Sequence, residues 1–205
     1  AREKVLAALV GGEPLAKAEL AAKAGCSAGV IDGLVADGAL AAVTLPPEPI
    51  ALLPDPDHAP RPLEPDQEAA ATALCEAVNG REFAPFLLEG VTGSGKTEVY
   101  FEAIAAALRQ GRQTLVMTPE IALTAQFLDR FGARFGVRPA EWHSGVTARR
   151  RERIWGAVAS GEARVVVGAR SALFLPFRDL GLIVVDEEHE GAYKQEDGVI
   201  YNARD

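Results

Sequence analysis

Eight residues constrain this chain more than any others: Gly90-Val91-Thr92-Gly93-Ser94-Gly95-Lys96-Thr97. Every fixed position of the pattern G-x-x-x-x-G-K-[ST] is filled, and the run lies between an apolar stretch at Phe86 to Leu88 and a helical pattern from Glu98 to Leu108. Glycines allow such a loop to curl so that its N–H groups converge, and the helix that follows adds its positive end to the same point. That combination attracts phosphate. Lys96 is expected to reach β- and γ-phosphates and Thr97 to ligate magnesium, with Gly90, Val91, Thr92, Gly93, Ser94 and Gly95 forming the cradle. The expected ligands are therefore ATP and magnesium. A glycine-rich strand-to-helix turn with no ligand is the alternative, and the order of strand, loop and helix argues against it.

A strand, phosphate loop and helix open an α/β fold, and the rest of the chain continues one. A helix is expected near Gln67 to Val78, and strands at Thr114 to Met117, Val165 to Val167 and Leu182 to Val185. These strands lack polar alternation and are separated by helical stretches, which predicts a parallel sheet covered on both faces. Residues upstream read differently. Three short apolar stripes between Val5 and Val35, with Gly25-Cys26-Ser27 as turn and cap between the second and third, predict a winged-helix-like module over 1–45, its wing near Leu40 to Val43. Eight prolines from Pro46 to Pro65 then predict an extended, semi-rigid linker over 46–65. The lobe proper is expected over 66–205.

Leu182-Ile183-Val184-Val185-Asp186-Glu187 is a buried-strand run that ends in two carboxylates. Beside a phosphate loop, such a pair supplies a metal ligand, Asp186, and a base, Glu187, that orients and deprotonates an attacking water. On its own such a pair more often caps a helix or sits in a solvated turn; the phosphate loop upstream reverses that reading. His189 stands two residues on; with only His58 and His143 elsewhere it has no partners at metal-ligand spacing, and it is expected either to couple the nucleotide to a neighbouring lobe or to pack as a hydrogen-bonded histidine.

Four stretches together, GVTGSGKTEVY (90–100), TPEIALTAQ (118–126), GARSALFLPF (168–177) and DEEH (186–189), resemble the replication-restart DNA helicases of bacteria, a DEAH-like family of superfamily 2. The resemblance covers nearly all of 60–205. It implies a first RecA-like motor lobe, ATP-driven 3′-to-5′ unwinding of forked DNA and assembly of a primosome. Laid onto matching residues, it implies that Gln67 reads adenine, and that Thr118, Arg170 and Ser171 grip single-stranded DNA by its phosphates. It further implies that Tyr193, Lys194 and Tyr201 belong to an aromatic-rich loop that stacks on DNA and signals to the ATP site. Here the chain departs from the family: Val199, Ile200 and Asn202 stand where a tryptophan, an arginine and a histidine are usual, which should weaken stacking. The segment with His143, Ser144 and Gly145, then Arg149, Arg150, Arg151, Arg153 and Trp155, matches the family without an assigned role.

The family's second lobe, with its arginine finger and zinc-binding cysteines, has no counterpart in these residues, so ATP turnover is expected to need it; zinc is expected only there. The chain opens inside a helical pattern without Met and stops at Ala203-Arg204-Asp205 with no closing element, as a piece of a longer protein would. Single-stranded and forked DNA, primosome proteins and single-stranded-DNA-binding proteins are the implied partners.

Bulk properties exclude rather than identify. With 48% hydrophobic and 24% charged residues the chain is expected to fold, and no apolar run approaches the ~20 residues that cross a bilayer. No apolar leader is present at the start, so no membrane association and a cytoplasmic setting are expected. A net charge of −8 rules out a coat of positive charge yet leaves room for a local basic groove. Cys26 and Cys75 are too few for a disulfide framework or zinc site. A DNA-binding scaffold without unwinding activity and a small-molecule kinase remain as other readings; the 118–126 and 168–177 segments have no place in the kinase.

Overall fold

The computed structural model describes residues 2–9, 15–43, 50, 52–119, 125–195 and 201–202, with the side chains of Ala192, Gln195 and Tyr201 outside that description. The chain forms two compact units, 1–48 and 49–205.

In the first unit, helices α1 (Arg2–Ala8), α2 (Lys17–Ala24) and α3 (Ala28–Ala36) close around Val5, Leu20, Ala24, Ile31 and Leu34. Gly25 ends α2 in the left-handed region at φ 61°, and the Cys26 N–H returns to the Ala21 carbonyl at 3.0 Å, so the turn depends on a residue without a Cβ. Ser27 precedes α3 without a side-chain capping bond. No strand forms in 39–43, and Val43 is exposed, so the expected wing is absent among the described residues.

The second unit is built on a parallel sheet of order β2-β3-β1-β4, with β1 Gln113–Met117, β2 Ala140–Trp142, β3 Val165–Gly168 and β4 Leu180–Val185. β1 and β3 are buried at every residue, as strands without polar alternation must be when both faces are covered. Helices α4 (Pro65–Gly80), α5 (Lys96–Arg109), α6 (Ala125–Phe135) and α7 (Ala148–Ser160) accompany it. Phe101 of α5 meets Phe127, Phe131 and Phe135 of α6 edge-on at 5.5–5.9 Å, the geometry that pairs ring edges with ring faces. Gln113 is buried at the foot of the sheet and fully employed: its amide donates to the Val158 and Ala163 carbonyls and accepts from the Arg178 and Asp179 N–H groups.

Two expectations are corrected here. Phe86 to Leu88 do not form a strand; Phe86 and Leu87 are 54% and 70% exposed. The sheet ends at β2 and β4, and neither edge pairs with this run, so its backbone has no ladder to join. The second half of the expected linker is no free spacer either. The Asp55 and Ala59 N–H groups donate to the Phe135 and Arg134 carbonyls, Asp57 pairs with Arg109 at 2.6 Å, and Arg134, itself buried, donates to the Pro56 carbonyl while pairing with Glu102. Prolines leave few N–H groups to satisfy, and the remaining polar groups named here are met by the ends of α5 and α6. No helix among the described residues is long and apolar enough to cross a membrane.

Candidate nucleotide and metal site

Because the strands are parallel, their C-terminal ends lie on one side. Trp142, Gly168, Met117 and Val185 stand in register across the four strands. Within two residues past that row stand His143, Arg170, Thr118 and Asp186, four positions singled out from sequence. A crevice at the carboxyl ends of strands is where open α/β sheets bind ligands.

The phosphate loop leads directly into α5, with Gly95 at its N-cap. Gly93 and Gly95 both take φ 82°, a region closed to residues with a Cβ except at a strain cost. Gly95 has a second reason to be glycine: a Cβ there would lie 2.5 Å from the Gln67 Nε2. Gln67 donates to the Ser94 carbonyl at 2.8 Å and accepts the Glu64 N–H at 2.9 Å, closing a capping box at the start of α4. α4 is thereby fastened to the loop. The amide keeps one proton and one lone pair, which an adenine edge could use. Lys96 Nζ donates to the Gly90 carbonyl at 2.5 Å and to Val91 at 3.3 Å, so the ammonium lies over the loop.

At the end of β4, the Asp186 N–H donates to the Met117 carbonyl at 2.9 Å, which fixes the acidic pair beside β1. Asp186 accepts the Glu187 N–H on Oδ1 at 3.1 Å and the Tyr100 hydroxyl on Oδ2 at 3.0 Å. Tyr100, one turn beyond Thr97 on α5, is buried at 5% exposure. Burial, and after it the Asp186 charge, push its phenol well above the ordinary tyrosine range. Sequence analysis gave Tyr100 no role; its position three residues past Thr97 on a helix was the available signal. Glu187 adopts φ 53°, and its carboxylate lies 3.5 Å from His189 Nε2, both side chains largely exposed.

The remaining expected residues divide. Tyr193 is corrected: it lies in the core at 2% exposure, where its hydroxyl reaches the carbonyls of Met117 and Asp186, so it has no face to offer a base. Burial, then the charges of Asp186, Glu187 and Glu190, raise its phenol too. Thr118 is corrected likewise, being 2% exposed with its hydroxyl unpartnered among the described residues. Ser171 and Lys194 are exposed; Ser171 accepts from Trp142 Nε1 at 3.2 Å, and Arg170 donates to the Lys194 carbonyl at 2.5 Å. Lys194 begins a short antiparallel pair, β5 (Lys194–Gln195) with β6 (Tyr201–Asn202). Val199, Ile200 and the Tyr201 side chain lie outside the described residues, as do residues 120–124. Of the arginine run, Arg151 caps the loop before α7 through the His143 and Ser144 carbonyls and lies over the Trp142 ring, while Arg150 faces Glu141 at 3.9 Å.

Magnesium prefers hard oxygen donors. Thr97, in the first turn of α5 after the phosphate loop, and Asp186, tied to α5 by the Tyr100 hydroxyl at 3.0 Å, are such donors, so these residues fit ATP with magnesium. Among the described residues no cluster of histidine, cysteine and carboxylate suggests another metal.

The DEAD/DEAH box helicase family matches residues 64–204, and the chain belongs to that family. The matched residues are a helicase motor lobe. Within the family, the chain is 52% identical over 143 residues to the Replication restart protein PriA of Rickettsia conorii, covering 70% of this chain and 21% of that protein. The PriA of Bacillus subtilis is 46% identical over 146 residues, 71% of this chain and 18% of that protein. That of Chlamydia muridarum is 37% identical over 200 residues, 94% of this chain and 26% of the protein. The chain thus spans about a fifth to a quarter of the length of these relatives.

Proposed function

We propose that this chain is the ATP-binding front lobe of a replication-restart helicase that unwinds forked DNA in the 3′-to-5′ direction and helps to assemble a primosome. The observation that carries the reading is the bond from Tyr100 to Asp186, which joins the helix behind the phosphate loop to the acidic end of β4. The loop amides and the first turn of α5 receive the triphosphate, and Lys96 swings from its loop carbonyls to the β- and γ-phosphates. Thr97 and Asp186 hold magnesium, which when bound neutralises charge on the phosphate oxygens. Glu187 orients water and accepts its proton, and His189, next to it, senses the neighbouring lobe. Gln67 adds adenine contact to its hold on Ser94. Arg170, Ser171 and Lys194 meet single-stranded DNA from the carboxyl side of the sheet, and Tyr201 is a further DNA contact by family resemblance.

The unit of 1–48 fits a winged-helix-like module in its helix-turn-helix only. Single-stranded-DNA-binding and primosome proteins are the proposed partners of the intact protein. Turnover would draw on an arginine finger from a second lobe, a contribution of ~10³ to 10⁵ in rate.

ATP hydrolysis by the full-length protein, with and without forked DNA, tests the reading beside Lys96→Ala. DNA-stimulated turnover that vanishes in the variant supports a motor. Fork binding without turnover above the variant supports the scaffold reading, which Val199, Ile200 and Asn202 motivate.

A further inference from the structure

The Tyr100 hydroxyl bonds one of the two residues assigned to magnesium, Asp186, from the same helix that carries the other, Thr97. Asp186 as a carboxylate only accepts hydrogen bonds, so the phenol proton at 3.0 Å must point to Oδ2. The proton direction of this pair is thereby settled, from Tyr100 to Asp186. Asp186 in turn has one bond on each oxygen, from Tyr100 and from the Glu187 N–H, and each oxygen keeps a lone pair.

From this arrangement we infer that Tyr100 is a positioning residue for magnesium, setting the carboxylate plane of Asp186 before the ion arrives. The inference rests on the nucleotide site proposed above. Its physical basis is that of any outer-shell partner of a metal ligand: the ligand is held in its binding orientation by a bond made on the side away from the ion. Burial gives the role its rigidity. The ring is 5% exposed and packs edge-on against Phe101 at 5.5 Å, so the hydroxyl has little freedom to turn to water.

Tyr100→Phe removes the hydroxyl and keeps the ring. In the full-length protein, ADP affinity is measured by competition against a fluorescent nucleotide, first in EDTA and then across a magnesium titration, for the wild type, Tyr100→Phe, Asp186→Asn and the double variant. Tyr100→Phe should bind ADP like the wild type in EDTA but need about tenfold more magnesium to reach half of the magnesium-dependent gain. The double variant should be no worse than Asp186→Asn, because Tyr100 acts through that carboxylate. A wild-type titration for Tyr100→Phe beside a flattened one for Asp186→Asn overturns the positioning role while leaving the site intact. A wild-type titration for Asp186→Asn overturns the site and the inference with it. Equal loss of ADP affinity with and without magnesium in Tyr100→Phe marks a merely structural phenol and overturns the inference as well.

Discussion

Gln67 donates its amide to the Ser94 carbonyl at 2.8 Å, so the first turn of α4 and the phosphate loop share one side chain. Gln67→Ala removes this tether and half of the capping box together, and nucleotide affinity should fall about tenfold, some 1.4 kcal/mol. Guanine nucleotides decide between the roles. A loss common to ADP and GDP marks a loop tether; a loss confined to ADP marks contact with adenine. Competition binding reads both.

Tyr193→Phe tests the correction made to the DNA-contact set. Its hydroxyl serves the Met117 and Asp186 carbonyls inside the core, so urea unfolding should show about 1–2 kcal/mol of lost stability. Single-stranded DNA affinity should stay at the wild-type level. A fall in affinity with unchanged stability would restore the tyrosine to the DNA face.

Arg134→Ala should be among the most damaging substitutions in the lobe. The guanidinium is 2% exposed and holds Glu102 and the Pro56 carbonyl, so its loss leaves a carboxylate short of its partner and should cost about 3 kcal/mol. Limited proteolysis should then cut the strap at 52–64 sooner than in the wild type. Unchanged cleavage there would mean that the strap is held by its backbone bonds alone.

Alkaline stability carries a signature of the buried phenols. Tyr100 and Tyr193 both have folded pKa values raised above the ordinary 10.0, so each contributes stability that is fully present below pH 10 and is lost as pH rises above it. In that range the unfolded chain ionises first, and each phenol should take away up to about 1.4 kcal/mol per pH unit. Urea unfolding from pH 9 to 11 should show a shallower fall for Tyr100→Phe than for the wild type. Parallel curves would contradict the burial.

What was legible in the sequence was what is local. The phosphate loop, β1, β3 and the end of β4 announce themselves by contiguous residues, and α5 by the stripe that buries Phe101 and Ile104. β2 escaped because three residues, Ala140 to Trp142, make no pattern of their own. Phe86 to Leu88 misled because apolarity alone does not guarantee a neighbouring strand. Tyr193 was given to DNA by its place in the family's aromatic-rich loop, and only the folded chain brings its hydroxyl to the Met117 carbonyl. Tyr100 and Asp186 are 86 residues apart, and no spacing rule relates them.

Glu187 is one of two non-glycine residues among those described with positive φ, at 53°. Left-handed backbone costs a residue with a Cβ about 1 kcal/mol, and Arg81, the other case, merely ends a helix. At Glu187 the tension falls on the side chain proposed to activate water. Glycine there would relax the backbone and harden the lobe against unfolding, yet leave it without a base. Thermal tolerance and turnover should therefore move in opposite directions at this single position, and a screen for sturdier variants would be drawn toward an inert motor.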